Sequence, residues 1–215
     1  MKIQWLGHSC FVLTESTGTV VVTDPYGDKV GYPLPSVRAD AVTVSHSHFD
    51  HCNTQAIEGN PKIFDKVGSY EIEGVSISSF RTHHDTVKGA KRGDNLIFTY
   101  RLDGVDVCHM GDIGEPCTAH ILDAIGAVNV LLIPVGGHYT IDAETAKDYV
   151  DKLMPDIVIP MHYYTEGCEI DLEEVDAFLD LFDEENVTFV DGDSITLDRT
   201  RFDGDFETTV VVFRR

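Results

Sequence analysis

Basic residues are scarce in this chain of 215 residues. Lys and Arg together number 16 against 37 Asp and Glu, which gives a formal charge of −21 at pH 7. Proteins that bind DNA or RNA neutralise phosphates with clustered Lys and Arg, and this composition does not supply such a surface. The sequence therefore predicts no nucleic-acid partner.

Long apolar runs and paired cysteines are missing as well. No stretch approaches the ~18–20 apolar residues that a membrane-spanning helix needs, and residues 1–5 enter a predicted strand without the apolar core of a signal peptide. The five cysteines, at positions 10, 52, 108, 117 and 168, form no C-x-x-C pair. Their odd number predicts free thiols in a reducing compartment. We therefore expect a cytoplasmic protein without a membrane partner.

The length and the 42% hydrophobic composition predict one domain, residues 1–215, with a sizeable core. The first half carries hairpin signals at Gly18, Glu73-Gly74 and Asp103-Gly104, each between alternating apolar runs. The second half alternates helix and strand. Helices are predicted at 118–125 and 143–153, followed by an acidic helix that starts near Asp171 and carries an apolar stripe. These patterns indicate an α/β fold with antiparallel parts.

A dense group of metal-capable side chains follows the predicted buried strand at 41–44: His46, His48, Asp50 and His51. In an extended or loop backbone, residues two apart point the same way, so His46 and His48 can bind one ion while Asp50 and His51 serve a second. A chance cluster of surface histidines is the alternative, and ten histidines in the whole chain make it a poor explanation. Imidazole suits zinc, iron or nickel, and a carboxylate adds manganese.

The spacing His46-x-His48-x-Asp50-His51 resembles the signature of the metallo-β-lactamase-fold hydrolases. Two further motifs follow in the family's order, each after a predicted strand. Gly111-Asp112 resembles the family's bridging aspartate, and Pro160-Met161-His162-Tyr163 resembles the late histidine of the second metal. The resemblance thus spans nearly the whole chain, and it implies an αββα four-layer sandwich.

The family also needs a third histidine for its first metal, and the run Arg81-Thr82-His83-His84-Asp85 supplies it. We favour His84, with His83 as the open alternative. Within the family, the opening Trp5-Leu6-Gly7-His8-Ser9 and the later segment 136–143 resemble the small ascorbate-phosphate-lactonase-like branch. For His8 itself, a hydrogen bond near the site and a purely structural role in a turn are both open.

The resemblance implies two divalent ions, Zn²⁺ by analogy with the family, with Mn²⁺ or Fe²⁺ suited to the same ligands. The first ion would be held by His46, His48 and His84. The second would be held by Asp50, His51 and His162, with Asp112 bridging the two. In such sites a hydroxide shared by the ions attacks the substrate. The predicted catalytic residues are Asp112, which would bridge the ions, and Asp50, which can orient the nucleophile.

These residues predict a metal-dependent hydrolase that acts on a small molecule: an ester, a lactone or a phosphorylated metabolite. One alternative is a phosphodiesterase or nuclease of the same fold, which the acidic composition disfavours. The other is a metal-binding protein without hydrolytic activity. The sequence leaves the oligomeric state open, including a homo-oligomer.

Substrate contacts are predicted at two places. Four of the few basic residues fall within twelve positions around His84: Arg81, Lys88, Lys91 and Arg92. Such a patch would attract an anionic substrate, with Arg92 as the best candidate because a guanidinium can hold phosphate or carboxylate through two hydrogen bonds. The alternative is that these bases pair with Asp85 and Asp94. His138, after Gly136-Gly137, is a second candidate contact, with a structural role equally open.

Overall fold

The computed structural model describes residues 1–204 and 207–214. Its strands, in chain order, are β1 (Lys2–Gly7), β2 (Cys10–Thr14), β3 (Val20–Thr23), β4 (Ala41–Thr43), β5 (Lys62–Phe64), β6 (Gly68–Ile72), β7 (Val75–His83), β8 (Asp94–Leu102), β9 (Val105–His109), β10 (Val130–Pro134), β11 (Ile157–Met161), β12 (Val187–Asp191), β13 (Ser194–Thr196) and β14 (Thr209–Arg214). The α-helices are α1 (Ala119–Ile125), α2 (Ala143–Leu153) and α3 (Asp176–Leu179).

The strands form two mixed sheets. The six-stranded sheet has the order β13-β1-β2-β3-β4-β5, and the eight-stranded sheet has the order β12-β14-β11-β10-β9-β8-β7-β6. Antiparallel hairpins build one side of each sheet, and parallel pairs build the other. Parallel neighbours need a crossover connection, and α1 and α2 provide it before β10 and β11.

Both faces of the first sheet are buried, and successive side chains along its strands point alternately into two separate cores. In β2, Phe11 and Leu13 belong to the large core that also contains residues of the second sheet, whereas Cys10 and Val12 belong to a smaller core. Because successive side chains point to opposite faces, the two sets cannot share a layer. The smaller core is closed by the loops around two short 3-10 helices, Asp28–Val30 and Thr54–Ala56.

The central strands of the second sheet are apolar on both faces. All residues of β10 and β11 are buried, as expected for parallel strands covered on two sides. Helix α2 buries Ala146, Tyr149 and Val150 in the same core. Helices and 3-10 segments therefore lie outside two packed sheets, which is the predicted layer order. Over the first sheet, 3-10 turns take the place of α-helices.

The hairpin predictions are confirmed by the turn conformations. The pairs Glu73-Gly74 and Asp103-Gly104 join β6 to β7 and β8 to β9, with φ values of 45° and 90° in the first pair and 50° and 74° in the second. Two-residue turns with positive φ at both positions match the twist of antiparallel strands. The two predicted helices are confirmed as α1 and α2, and the side chains of Thr118 and Asp142 cap them by accepting backbone N–H groups of the first turn.

The long acidic helix is a wrong prediction. Between 169 and 185 the chain forms only the one-turn helix α3, and the following 3-10 turn is Glu184–Asn186. Like charges three or four positions apart oppose a continuous helix here. In addition, the backbone of Glu173 is bonded to Gly136 and Tyr164, which holds the preceding segment against the loop after β10.

Two absences predicted from composition can be compared with the structure. Among the described residues, none of the helices has the length and apolar character needed to cross a membrane. All five cysteines are free thiols.

Candidate metal centre

The candidate site lies where strands of both sheets end. Asp24 follows β3, the His46–His51 run follows β4, His84 follows β7, Asp112 lies three residues after β9, and His162 follows β11. These strands point in the same direction within each sheet, so their carboxyl ends meet at one edge. Ligand sites of α/β sheets form at this kind of edge.

Asp112 is the centre of the cluster. Its Oδ2 lies 3.1 Å from Nε2 of His51, 3.1 Å from Nε2 of His162 and 3.2 Å from Nε2 of His84. The Nε2 of His46 is 3.7 Å away. Four imidazoles from three loops thus converge on one buried carboxylate oxygen. This is the arrangement expected of an aspartate shared by two ions.

The histidines and acids near Asp112 fall into two main groups, and a third group of Asp24, His46 and His51 overlaps both. One group consists of His46, His48 and His84, and the other consists of His8, Asp50, His51 and His162. Within each group the potential ligand atoms all lie within 4.8 Å of one another. Every metal ligand predicted from the sequence is therefore in the cluster, and His8 is an addition.

The chemistry of the cluster fits bound cations. The Nε2 atoms of His46 and His51 and the Oδ1 of Asp112 are buried and have no hydrogen-bond partner among the described residues. Leaving buried polar atoms without partners costs about 1–3 kcal/mol each. Divalent ions would give all three atoms a partner, and imidazole with carboxylate is a donor set that zinc, iron and manganese accept.

The structure places the adjacent histidines His83 and His84 in different surroundings. His84 is buried and belongs to the first ligand group. The ring of His83 points away, with its Nδ1 3.0 Å from Glu115 Oε1, and Glu115 also accepts the backbone N–H of His83. This arrangement supports His84 as the third ligand of the first ion.

Asp24 was not identified from the sequence, yet it organises the second ligand group. Its carboxylate accepts a hydrogen bond from His51 Nδ1 at 2.8 Å, from Ser45 N at 2.7 Å and from Ser45 Oγ at 2.5 Å. A proton on Nδ1 leaves the Nε2 lone pair of His51 free to bind an ion. The signal that could have found Asp24 is its position directly after β3, the strand beside β4.

Two residues hold the Gly111-Asp112 turn. Asn95 accepts the backbone N–H of Asp112 at 2.9 Å and donates to Met110 O at 2.9 Å. His109 accepts the N–H of Gly111 at 3.1 Å, which puts its own proton on Nε2, 2.9 Å from Ser9 O. Gly111 has φ 57°, and a Cβ there would lie 2.3 Å from Asn95 Oδ1. Groups of the protein itself therefore hold the turn.

Three of the nine described non-glycine residues with positive φ lie at the site. His8, Asp24 and His162 all have positive φ, at 52°, 37° and 53°. Such conformations are unfavourable for residues with a Cβ and persist where surrounding contacts enforce them. Here the enforced positions are the ones that aim polar side chains into the cluster.

The charges of the cluster follow from burial and mutual contact. Burial raises the pKa of Asp112, but the imidazoles of His162 and His51 outweigh that effect and hold its pKa well below the ordinary value. Burial lowers the pKa of His51, but Asp112, the hydrogen bond to Asp24 and the nearby Asp50 raise it well above the ordinary value. Burial and the neighbouring His51 lower the pKa of His46 to about 3. His46 is therefore neutral and ready to bind an ion.

Two cavities meet at the cluster. One has a volume of about 900 Å³, and its wall contains Asp50, His84, Asp112 and His162 together with Phe49 and Tyr139. The other has a volume of about 560 Å³ and is lined partly by Lys66 and Arg81. His48 and Arg92 belong to both walls. A substrate at the cluster would therefore meet Arg92 from either cavity.

The side chain of Arg92 is not paired with Asp85 or Asp94. Its Nη2 donates to His138 O at 3.3 Å, and its guanidinium carbon lies 5.3 Å from the ring centre of Tyr139. Asp85 instead accepts backbone N–H groups of its own loop, including that of Arg92, and Asp94 pairs with Arg81 at 3.2 Å. The charge of Arg92 is thus available at the cavity wall.

His138 is placed differently from Arg92. Its imidazole is exposed and lies 3.9 Å from Asp171 and 4.0 Å from Glu173, outside the walls of both cavities described above. Its backbone carbonyl anchors Arg92. The structure therefore joins His138 to the site through Arg92, and a direct contact of its ring with substrate stays a prediction.

Comparison with known proteins agrees with this geometry. Residues 2–162 match the family described as the β-lactamase superfamily domain. The chain belongs to this superfamily. A metal-dependent hydrolase from Thermoplasma acidophilum is 31% identical over 196 residues, which cover 77% of this chain and 84% of that protein. A protein from Pyrococcus furiosus is 30% identical over 202 residues, covering 81% and 88%.

A solved structure is similar over the whole length. A protein from Thermotoga maritima, described as a Zn-dependent hydrolase of the metallo-β-lactamase superfamily, is 36% identical with a TM-score of 0.79, and 99% of each chain is covered. The predicted family, fold and enzyme class, a metal-dependent hydrolase, are thereby confirmed. The ligand set, the number of ions and the substrate stay predictions.

Replacing Asp24 by Asn is expected to weaken metal binding by about 10–100-fold, the usual effect of losing a partner that orients a ligating histidine. The Asp24 carboxylate accepts three hydrogen bonds, from Ser45 N, Ser45 Oγ and His51 Nδ1. The asparagine amide has only one acceptor oxygen, so the hydrogen bond that orients His51 is weakened or lost. Titration with a chelator of known affinity measures the change. Asp123→Asn, which removes a carboxylate from the exposed side of α1, is the control. Equal affinities for the two variants would contradict this role of Asp24.

Proposed function

We propose that this protein is a dinuclear metal-dependent hydrolase of small anionic molecules. The observation that carries the proposal is the convergence of His46, His51, His84 and His162 on the Oδ2 of Asp112. A single ion needs fewer ligands than this cluster supplies. Two ligand groups with one carboxylate between them are the donor set of a two-metal site.

The first ion would be held by His46, His48 and His84, and the second by Asp50, His51 and His162. Asp112 would contribute to both. Five imidazoles and two carboxylates favour Zn²⁺, and Mn²⁺ or Fe²⁺ suit the same donors. When bound, the ions supply Lewis acidity that polarises the scissile bond and lowers the pKa of water toward neutrality.

The protein's own residues would prepare the reaction in two ways. Burial raises the pKa of Asp50, but the nearby His51 and the contact with His8 outweigh burial and keep the pKa below its ordinary value. The ionised Asp50 carboxylate lines the larger cavity, where it can orient the nucleophile and accept its proton. Asp112, held by Asn95, would keep the two ligand groups in register.

The substrate class follows from the cavities and their charge. Volumes of about 560 and 900 Å³ lie in the range of small-molecule sites. Arg92 and the bound ions would attract an anionic ester, lactone or phosphorylated metabolite, and His138 would contact it at the rim. The acidic surface gives a nucleic-acid substrate no comparable support. We place the protein in the cytoplasm on the ground of its free thiols.

A substrate panel with and without chelation tests the proposed function. It contains a carboxylic ester, a sugar lactone, a sugar phosphate and a phosphodiester, each followed by product release. We expect hydrolysis of at least one anionic ester, lactone or phosphomonoester, lost on chelation and restored by a divalent ion. A preference for the phosphodiester would favour the phosphodiesterase alternative. Full metal occupancy without any hydrolysis would favour a metal-binding protein and contradict the proposal.

Arg92→Ala is expected to raise KM for an anionic substrate by roughly tenfold and to leave KM for a neutral analogue nearly unchanged. The reason is that the Arg92 guanidinium lies at both cavity walls and forms no ion pair with a carboxylate among the described residues. Steady-state kinetics on a matched pair of substrates measures the difference. Lys91→Ala removes a charge from the same loop but lies outside both walls, and it serves as the control. Equal changes on both substrates would assign Arg92 a structural role.

A further inference from the structure

His8 is the member of the metal cluster without an assigned role. It lies in the turn between β1 and β2, where the pairing register shifts, and it is buried. The turn comes from the first sheet, far in sequence from His162. It nevertheless brings the His8 ring into the second ligand group.

The backbone and ring of His8 are firmly held. Its carbonyl accepts a hydrogen bond from Trp5 Nε1 at 3.0 Å and another from the N–H of His162 at 3.3 Å. Its ring centre lies 4.3 Å from that of His162 and 5.2 Å from that of His51. The hydrogen bonds hold the backbone in its positive-φ conformation, and the two neighbouring rings pack against the imidazole.

The polar contacts of the imidazole point to one partner. Its Nε2 lies 3.2 Å from Asp50 Oδ2, closer than the 3.6 Å between that oxygen and His51 Nε2. Its Nδ1 is buried without a hydrogen-bond partner among the described residues. Asp50 is therefore the group toward which the His8 side chain is directed.

We propose that His8 is a positioning residue that donates its Nε2 proton to Asp50 and fixes this carboxylate at the second metal. The inference rests on the proposed function, because it assigns Asp50 to that metal. A nitrogen that donates its proton to a carboxylate cannot bind an ion through the same atom. The donor role and a role as an additional ligand are thus mutually exclusive at Nε2.

Because His8 Nε2 can either donate to Asp50 or bind an ion, but not both, substitutions can separate the donor role from the ligand role. In His8→Gln the amide N–H₂ group can reach Asp50 as a donor, but an amide is a poor ligand for Zn²⁺. In His8→Ala the donor is lost together with the ring. His8→Phe keeps a ring of similar size against His162 without any polar atom, so it controls for the space that alanine leaves empty.

The experiment measures the affinity for each of two ions by chelator competition, the Co²⁺ absorption spectrum and the kinetics of hydrolysis. We expect His8→Ala and His8→Phe to weaken binding of one ion by about 10–100-fold and to lower kcat more than they change KM. Binding of the other ion should stay unchanged. His8→Gln should retain wild-type affinity within about threefold and keep the Co²⁺ spectrum.

Three results would overturn the inference. If His8→Gln loses the ion as completely as His8→Phe and the Co²⁺ spectrum changes, His8 is a ligand. If His8→Phe keeps both ions and full kcat, the contact with Asp50 has no function. If all variants differ only in the temperature of unfolding, the residue is structural. Failure of the proposed function is distinguishable, because it is seen in the wild-type protein itself, which would then bind fewer than two ions or hydrolyse no substrate, whereas the role of His8 is judged from the differences between the variants and the wild type.

Discussion

Asp112→Asn is expected to lower the metal content below one ion per chain and to reduce hydrolysis by about 100-fold or more, beyond the usual effect of losing an indirect partner of a metal ligand. The substitution removes one negative charge from the point where four histidines meet. Both ligand groups depend on that charge, so both ions should be weakened together. Elemental analysis and steady-state kinetics on the same preparation measure the two effects.

The fold should survive this change. The backbone N–H of Asp112 donates to Asn95 whatever the side chain is, and the amide has nearly the same size as the carboxylate. Circular dichroism and thermal unfolding of the metal-free protein check this point. Asp94→Asn, which removes an exposed acid paired with Arg81, is the control for charge. Full metal occupancy together with full activity in Asp112→Asn would exclude a bridging role.

The second large effect is expected at position 84. His84→Ala should remove one ion and lower hydrolysis by about two orders of magnitude, because the first group would keep only His46 and the exposed His48 as ligands. His83→Ala should keep both ions, since its ring faces Glu115. The same elemental analysis, performed on both variants, measures the difference.

The pair His83 and His84 provides its own matched control, because the substitutions are chemically identical and one position apart. If His83→Ala loses an ion and His84→Ala does not, the assignment is reversed. If neither variant loses an ion, the first group is not a metal site and the dinuclear proposal fails. Thermal unfolding in the presence of chelator shows whether either change acts through stability.

Much of the candidate site could be predicted because its ligands are marked locally. The run from His46 to His51 sits in one loop, and His84, Asp112 and His162 each follow closely after a strand. Local spacing marked the run from His46 to His51, and the resemblance to the metallo-β-lactamase-fold hydrolases then pointed to His84, Asp112 and His162. The hairpin turns were equally local, since Glu73-Gly74 and Asp103-Gly104 carry their own conformational signal.

The partners of the supporting residues could not be found in this way, although the sequence left a hydrogen bond of His8 near the site open. Asp24 acts on His51 across 27 positions, and Asn95 acts on Asp112 across 17. His8 reaches Asp50 across 42 positions. None of them stands in a pattern that reveals its partner, because the contact exists only after the sheets have packed.

The wrong prediction of a long acidic helix has the same origin. The apolar residues after Asp171 have helical spacing, but the backbone of Glu173 is bonded to distant Gly136, a contact that periodicity does not contain. Arg92 shows the converse case. Sequence proximity to Asp85 and Asp94 left ion pairs open as the alternative, while the folded loop places the guanidinium against Tyr139.

The central claim, a two-metal hydrolase, is tested most directly by counting ions in protein purified without added metal and measuring hydrolysis before and after chelation. The account predicts two divalent ions per chain. It also predicts that activity on an anionic ester, lactone or phosphorylated substrate disappears with the ions and returns with Zn²⁺, Mn²⁺ or Fe²⁺. A chain that holds one ion or none and hydrolyses the same substrate at an unchanged rate after chelation would contradict it.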